Sequence, residues 1–169
     1  MSIATMACTV ATPAFALVPK IRAARELAFH NLHTDEKLRI TYWKDGNYNR
    51  QACQQINHIL RDFRSGDTYP IDIRLFDLLH ELQTKLNNDG TIEIISGYRS
   101  PKTNMMLASL SDGVAKNSYH TKGMAIDIRM PGSSLPKIHK TALAMRRGGV
   151  GYYPDSEFVH VDVGPIRRW

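Results

Sequence analysis

The sequence predicts an α+β fold: a single domain with a small antiparallel sheet and helices packed on one side. Three observations lead there. The chain has 169 residues, enough for one hydrophobic core but short for two domains. Hydrophobic residues make up 43% and charged residues 22%, an ordinary globular balance that argues against disorder. Helical spacing dominates the first half and strand alternation the second, which is the order of an α+β chain.

In chain order, Lys20 to His33 sets Ala, Leu and Phe against Arg at helical spacing and predicts a helix. Leu38 to Trp43 alternates apolar with polar residues and predicts a strand, closed by the Asp45-Gly46-Asn47 turn. Gln51 to Phe63 and Ile71 to Leu86 predict two helices separated by Ser65-Gly66-Asp67, the second ending at Asn87 to Gly90. Thr91 to Ser96 is a β-branched strand, followed by a turn at Gly97 to Pro101 and a short helix over Thr103 to Leu110. Met124 to Met130 is a strand, and Leu135 to Arg147 a helix stopped by Gly148-Gly149. Val150 to Tyr153 and Phe158 to Val163 are the final strands.

Residues 1–16 stand apart. They carry no charged side chain and end in Ala14-Phe15-Ala16, a small-x-small pattern of the signal-peptidase type. The basic start of a signal is missing, so the segment is either a signal peptide shortened at that end or an ordinary apolar N-terminus; the first reading predicts export to the periplasm or cell wall and a working domain over residues 17–169. The apolar stretch is too short and too broken by Thr and Pro to span a bilayer, so no stable membrane insertion is expected. Cleavage would remove Cys8 and leave Cys53 alone, which excludes a disulfide framework and a cysteine-based zinc knuckle. The net charge of +6 and a pI near 9.4 favour an anionic partner. The basic residues are scattered rather than clustered among aromatics, which argues against nucleic acid. A monomer is expected.

The chemistry sits in the last two strand patterns. Alternation over Met124 to Met130 turns Ala125, Asp127 and Arg129 to one face. In Phe158 to Val163 it turns Phe158, His160 and Asp162 to one face and the valines to the other. Paired in one sheet, these strands would bring Asp127 and His160 together. Gly123 would let the preceding loop turn back so that His120 joins them. Two imidazoles and a carboxylate suit Zn2+, and three protein ligands leave a fourth position for water, the arrangement of a catalytic site. A carboxylate is then needed to move protons, with Glu157 and Asp162 as candidates. Arg99 could stabilise the developing oxyanion.

Ser96-Gly-Tyr-Arg-Ser100, Ser118-Tyr-His-Thr-Lys-Gly-Met-Ala-Ile-Asp127 and Glu157-Phe-Val-His160 resemble the D-alanyl-D-alanine metallopeptidase family. The shared pattern is Ser-x-His-x-x-Gly-x-Ala-x-Asp with a later Glu-x-x-His. Gly149-Val-Gly-Tyr-Tyr-Pro154, Phe158-Val-His-Val-Asp-Val-Gly164 and Arg168-Trp169 resemble its MepK-like (YcbK-like) murein endopeptidase branch. The resemblance covers about residues 25–169, and several ordered motifs together make it specific. It implies zinc on His120, Asp127 and His160, Arg99 assisting the carbonyl, and a base at Glu157. Strict alternation instead puts Glu157 opposite His160, with Asp162 on the shared face; a strand beginning only at Phe158 removes the conflict. The branch also implies peptidoglycan as substrate and cross-links between diaminopimelate residues as the target.

A carboxypeptidase that trims terminal D-alanine is the enzyme alternative. A non-catalytic wall-binding module with a structural zinc is the alternative from another class. Read without the motif, Arg99 is a salt-bridge partner for Asp127 or Glu93, and Asp162 a second support behind a metal-bound imidazole. His30, His33, His58, His80 and His139 read as structural, and Cys53 as a small core residue.

Overall fold

The computed structural model describes residues 24–110, 115 and 117–169. The predicted signal segment and Cys8 lie outside them. The elements are β1 (Ala24–Asn31), β2 (Lys37–Lys44), β3 (Asn47–Tyr48), α1 (Arg50–Ile59), α2 (Ile73–Leu86), β4 (Ile92–Ser96), α3 (Pro101–Leu110), β5 (Ala125–Arg129), α4 (Leu135–Met145), β6 (Gly149–Tyr153), β7 (Phe158–Asp162) and β8 (Arg167–Arg168). A single 3-10 turn, Tyr119–Lys122, precedes β5.

The α+β class holds, and the sheet is larger than the sequence suggests. Its eight strands run in the order β3-β2-β1-β4-β5-β7-β6-β8. Most neighbours are antiparallel, but β1 pairs with β4 and β6 with β8 in parallel. The segment predicted as a helix from Lys20 to His33 is instead strand β1 over its described part. Its Ala, Arg, Glu and Leu are good helix formers, but β1 hydrogen-bonds to β2 on one side and β4 on the other, and that pairing overrides local preference.

The register builds one apolar face. Phe29 stands beside Ile92, Ile94 beside Ile128, Ile126 beside Val161, and Val150 beside Val161. On that face lie α1, α2 and α4, and together they form a single buried cluster. Helix α2 contributes Leu75, Phe76, Leu78, Leu79, Leu82 and Leu86, all buried, each worth roughly 1.5–3 kcal/mol on burial. The helix starts where the Asp72 carboxylate accepts from the Arg74 N–H and stops at left-handed Asn87.

Strand β4 carries a bulge: Ile94 faces Ile128 but Ser96 faces Asp127, so two residues of β4 stand against one step of β5. Beyond it, residues 97–100 are tied to the end of α1. The Tyr98 N–H donates to Leu60 O at 2.7 Å and the Ser100 N–H to Asp62 Oδ2 at 2.9 Å.

Candidate metal centre

The face of the sheet opposite the helices carries the site. Asp127 and His160 are direct cross-strand partners on β5 and β7, as alternation predicts. His120 comes from the 3-10 turn. Ser118 caps that turn by accepting from the His120 N–H at 3.3 Å, and Gly123 ends it in the left-handed region at φ 63°, which favours glycine. A Cβ on Gly123 would also crowd the Tyr69 ring at 3.1 Å.

The three side chains converge. His160 Nδ1 lies 2.8 Å from Asp127 Oδ1, and His120 Nε2 lies 3.2 Å from the same oxygen and 3.2 Å from His160 Nδ1. All three residues are buried, at 2%, 3% and 6% exposure for His120, Asp127 and His160. The outer nitrogen of each ring is already committed. His120 Nδ1 sits 2.7 Å from Gly97 O, an acceptor, so this nitrogen must donate. His160 Nε2 sits 3.0 Å from Asp162 Oδ2 and likewise donates. The inner nitrogens therefore turn lone pairs toward each other and toward a carboxylate oxygen.

A proton on His160 could satisfy one of these contacts; a cation satisfies all three. Donors around 2.0–2.2 Å from a tetrahedral zinc lie about 3.3–3.6 Å apart, slightly wider than the spacings here. The donor set thus fits a metal ion, and among the described residues it is the only group of three such donors. For Asp127 and His120 the electrostatics agree. Burial alone would raise the Asp127 pKa, but the two imidazoles outweigh it and hold the carboxyl well below the usual carboxylate range. Burial lowers the pKa of His120 and keeps its ring neutral, as a ligand must be. For His160 burial also works against charge, yet the Asp127 and Asp162 carboxylates outweigh it and raise the pKa.

The remaining candidates take distinct places. Arg99 donates from Nη2 to Asp127 Oδ2 at 2.7 Å and from Nε to Ser96 Oγ at 2.8 Å. It therefore occupies the second oxygen of Asp127 and leaves Oδ1 facing the two imidazoles. Asp162 is wholly buried behind His160, where its oxygens accept from the N–H groups of Gly149 and Gly164 and from Arg167 as well as from His160. Burial would raise its pKa, but these partners hold it far below the ordinary value. No lone pair is left to take a proton from the cavity. Glu157 sits in the turn before β7, in a left-handed conformation at φ 56°, which takes it out of the strand's alternation. Its side chain is 76% exposed, with Oε2 3.7 Å from Arg129 Nη2.

The cluster opens into a cavity of about 320 Å3 walled by Tyr119, Tyr153, Phe158, Arg167 and Trp169, with Ser156 at its edge. The Trp169 indole lies 5.1 Å from the His160 ring, centre to centre, and donates to Tyr153 Oη at 2.7 Å. Gly151 makes room for it, because a Cβ there would meet the indole at 2.7 Å. A larger depression, about 560 Å3, lies beside β1 and the end of α2 and brings no three donors together. The other histidines have local partners: His30 pairs with Asp35, His33 stacks on Phe63 and His139 on Tyr152, His80 lies edge-on to Tyr42, and His58 is near Glu36. Cys53 is a half-buried thiol whose pKa burial raises.

Sequence reasoning missed Arg167 and Trp169 as parts of the site. Both lie on or beside the two-residue strand β8, too short for any periodicity. Trp169 was marked by the closing Arg168-Trp169 pair of the family pattern, which gives a resemblance but no role, and Arg167 only by its place in a basic run after His160.

An α+β domain whose sheet holds a buried two-histidine, one-aspartate cluster open to a cavity is the framework of a metallopeptidase. The profile of one peptidase family, the peptidoglycan L,D-endopeptidase MepK family, matches residues 20–169, and the chain belongs to that family. The chain is 46% identical over 167 residues to the peptidoglycan L,D-endopeptidase MepK of Escherichia coli (strain K12), covering 99% of this chain and 91% of that protein. The same figures hold for the protein of that name from Shigella flexneri. A probable peptidoglycan L,D-endopeptidase MepK of Haemophilus influenzae is 42% identical over 146 residues, 86% of this chain and 78% of that protein. No solved structure matches. Among the described residues no helix is long and apolar enough to cross a membrane.

Proposed function

We propose that this chain is an exported zinc-dependent peptidoglycan endopeptidase that hydrolyses the peptide cross-links between murein stem peptides. The observation that carries the reading is the convergence of His120 Nε2, Asp127 Oδ1 and His160 Nδ1 with both outer ring nitrogens already occupied. Family membership supplies the substrate class, and the name of its relatives points to a bond joining an L- to a D-centre. A wall substrate lies outside the cytoplasm, so residues 1–16 act as the export signal and residues 17–169 as the enzyme.

His120, Asp127 and His160 would hold the zinc ion, which would supply a water acidified to a pKa of about 7 and Lewis-acid polarisation of the scissile carbonyl. The chain's own residues do the rest. Gly97 O and Asp162 fix the two rings by their outer nitrogens, and Arg99 fixes Asp127 by its outer oxygen. Glu157 moves the proton between the attacking water and the leaving amine, since Asp162 is saturated and the neighbours of Glu157, Ser156 and Phe158, line the cavity. Tyr119, Tyr153, Phe158 and Trp169 shield the reacting peptide from bulk water.

The test is digestion of intact cross-linked peptidoglycan by the purified, zinc-loaded protein, with the products resolved by chromatography and mass spectrometry. Zinc-dependent conversion of cross-linked dimers to monomers is expected, and His160→Ala should lose zinc and activity together. Release of terminal D-alanine alone would make the chain a carboxypeptidase. An unchanged profile with zinc bound would make it a wall-binding module.

A further inference from the structure

Asp162 steadies His160, and a wholly buried carboxylate needs a cation of its own. Arg167 supplies it through two side-by-side bonds, Nη1 to Oδ1 at 3.1 Å and Nη2 to Oδ2 at 2.6 Å. The guanidinium also lies against two rings, 4.7 Å from the centre of Tyr119 and 5.0 Å from that of Trp169. Tyr119 begins the turn that carries His120, and the Trp169 indole rests on His160. One side chain thus touches the supports of both imidazoles.

The surroundings are shaped for this contact. Gly149 donates its N–H to Asp162 Oδ1 at 3.0 Å, and a Cβ on Gly149 would come within 2.5 Å of both Asp162 Oδ2 and Arg167 Nη1. A lysine could supply charge but neither the paired bond nor the flat face that lies against the rings. With a partner of lower quality Asp162 would keep the Gly149 and Gly164 N–H groups on Oδ1, but Oδ2, which holds the ring, would be less firmly set.

We propose that Arg167 is a positioning residue for the metal: it locks Asp162, and through Asp162 the ring of His160, in the orientation that presents Nδ1 to the ion. This rests on the zinc reading given under Proposed function, and the test separates the two.

The measurement is the zinc affinity of the metal-free protein, read by competition with a chromophoric chelator. Arg167→Ala should weaken binding about 10- to 100-fold, the usual effect of removing an outer partner of a metal ligand. Arg167→Lys should fall between, and Arg168→Ala should match the wild type. If Arg167 acts through Asp162, adding Arg167→Ala to Asp162→Asn should cost no more than about twofold beyond Asp162→Asn alone. A full multiplicative loss overturns that route. Wild-type affinity in a folded Arg167→Ala overturns the inference and leaves the zinc reading intact. Should Arg167→Ala not fold, Arg167→Lys decides on its own: weakened affinity supports the inference and unchanged affinity overturns it. A wild-type protein that takes up no zinc overturns the proposed function and this inference with it.

Discussion

Asp62 offers a stability test of the loop that carries Arg99. The residue is 1% exposed, and burial alone would raise its pKa. Hydrogen bonds from Thr103, from Ser100 and from the Arg64 N–H outweigh that and bring it down to about 2. A fall from 3.8 to about 2 is worth about 2.4 kcal/mol at about 1.36 kcal/mol per pH unit. Asp62→Asn keeps the shape but replaces one accepting oxygen with an amide that faces N–H donors. The loss of charge-assisted bonds gives a similar figure, about 1.5–3 kcal/mol. A melting temperature about 5–10 °C below the wild type is therefore expected at pH 7. The sign with pH is fixed. A depressed carboxylate pKa stabilises fully above its unfolded value and loses that stability as pH falls through its folded value. Urea unfolding from pH 7 to pH 3 should show a constant gap down to about pH 4 and a narrowing one below it. Equal stability at pH 7, or a gap that widens in acid, would refute the reasoning.

Other outcomes follow from the site. Stripping the metal with a chelator should lower the melting temperature, and zinc at about a hundred times its Kd should restore about 2.7 kcal/mol, read by calorimetry. Glu157→Gln should lower kcat while zinc content stays at wild type; zinc loss with unchanged kcat in the loaded enzyme would exclude it as the proton carrier. Arg99→Ala frees Asp127 Oδ2 and should weaken zinc binding about 10- to 100-fold as well as slowing turnover, measured by chelator competition beside peptidoglycan digestion. Gly151→Ala should push the Trp169 indole off its seat, break its bond to Tyr153 at a cost of about 1 kcal/mol, and raise KM more than it lowers kcat.

Much of the centre could be read from strand alternation. Asp127, His160 and Asp162 occur at positions whose parity decides their face, and the paired strands have that register. His120 was reachable because a glycine three residues later is what a reversing turn needs, and Gly123 has the positive φ. Glu157 escapes the same rule because β7 begins only at Phe158, the condition under which alternation does not apply to it, and its left-handed backbone sets it in the turn. Strand β1 departs from the helix that its residues favour in isolation because partners that hold it as a strand, Ile92 and Ile94, stand more than sixty residues away in sequence. Arg99 was legible as a partner of Asp127 or Glu93, and the choice of Asp127 depends on how the loop after β4 is held by Asp62 and Leu60.

The bulge in β4 turns a chemical requirement into one of counting. Its extra residue sets the phase in which the chain leaves the sheet, and with it where Gly97 O and the Arg99 guanidinium arrive. Deleting Ile95 would restore one-to-one pairing with Ser96 still beside Asp127, but the chain would leave the sheet one residue short and draw both groups away from their targets at once. Exchanging Ile95 for another β-branched residue would do neither. Among diverging sequences of this family, the number of residues from Ile94 to Arg99 should therefore outlast their identities, and insertions should collect on either side of that interval.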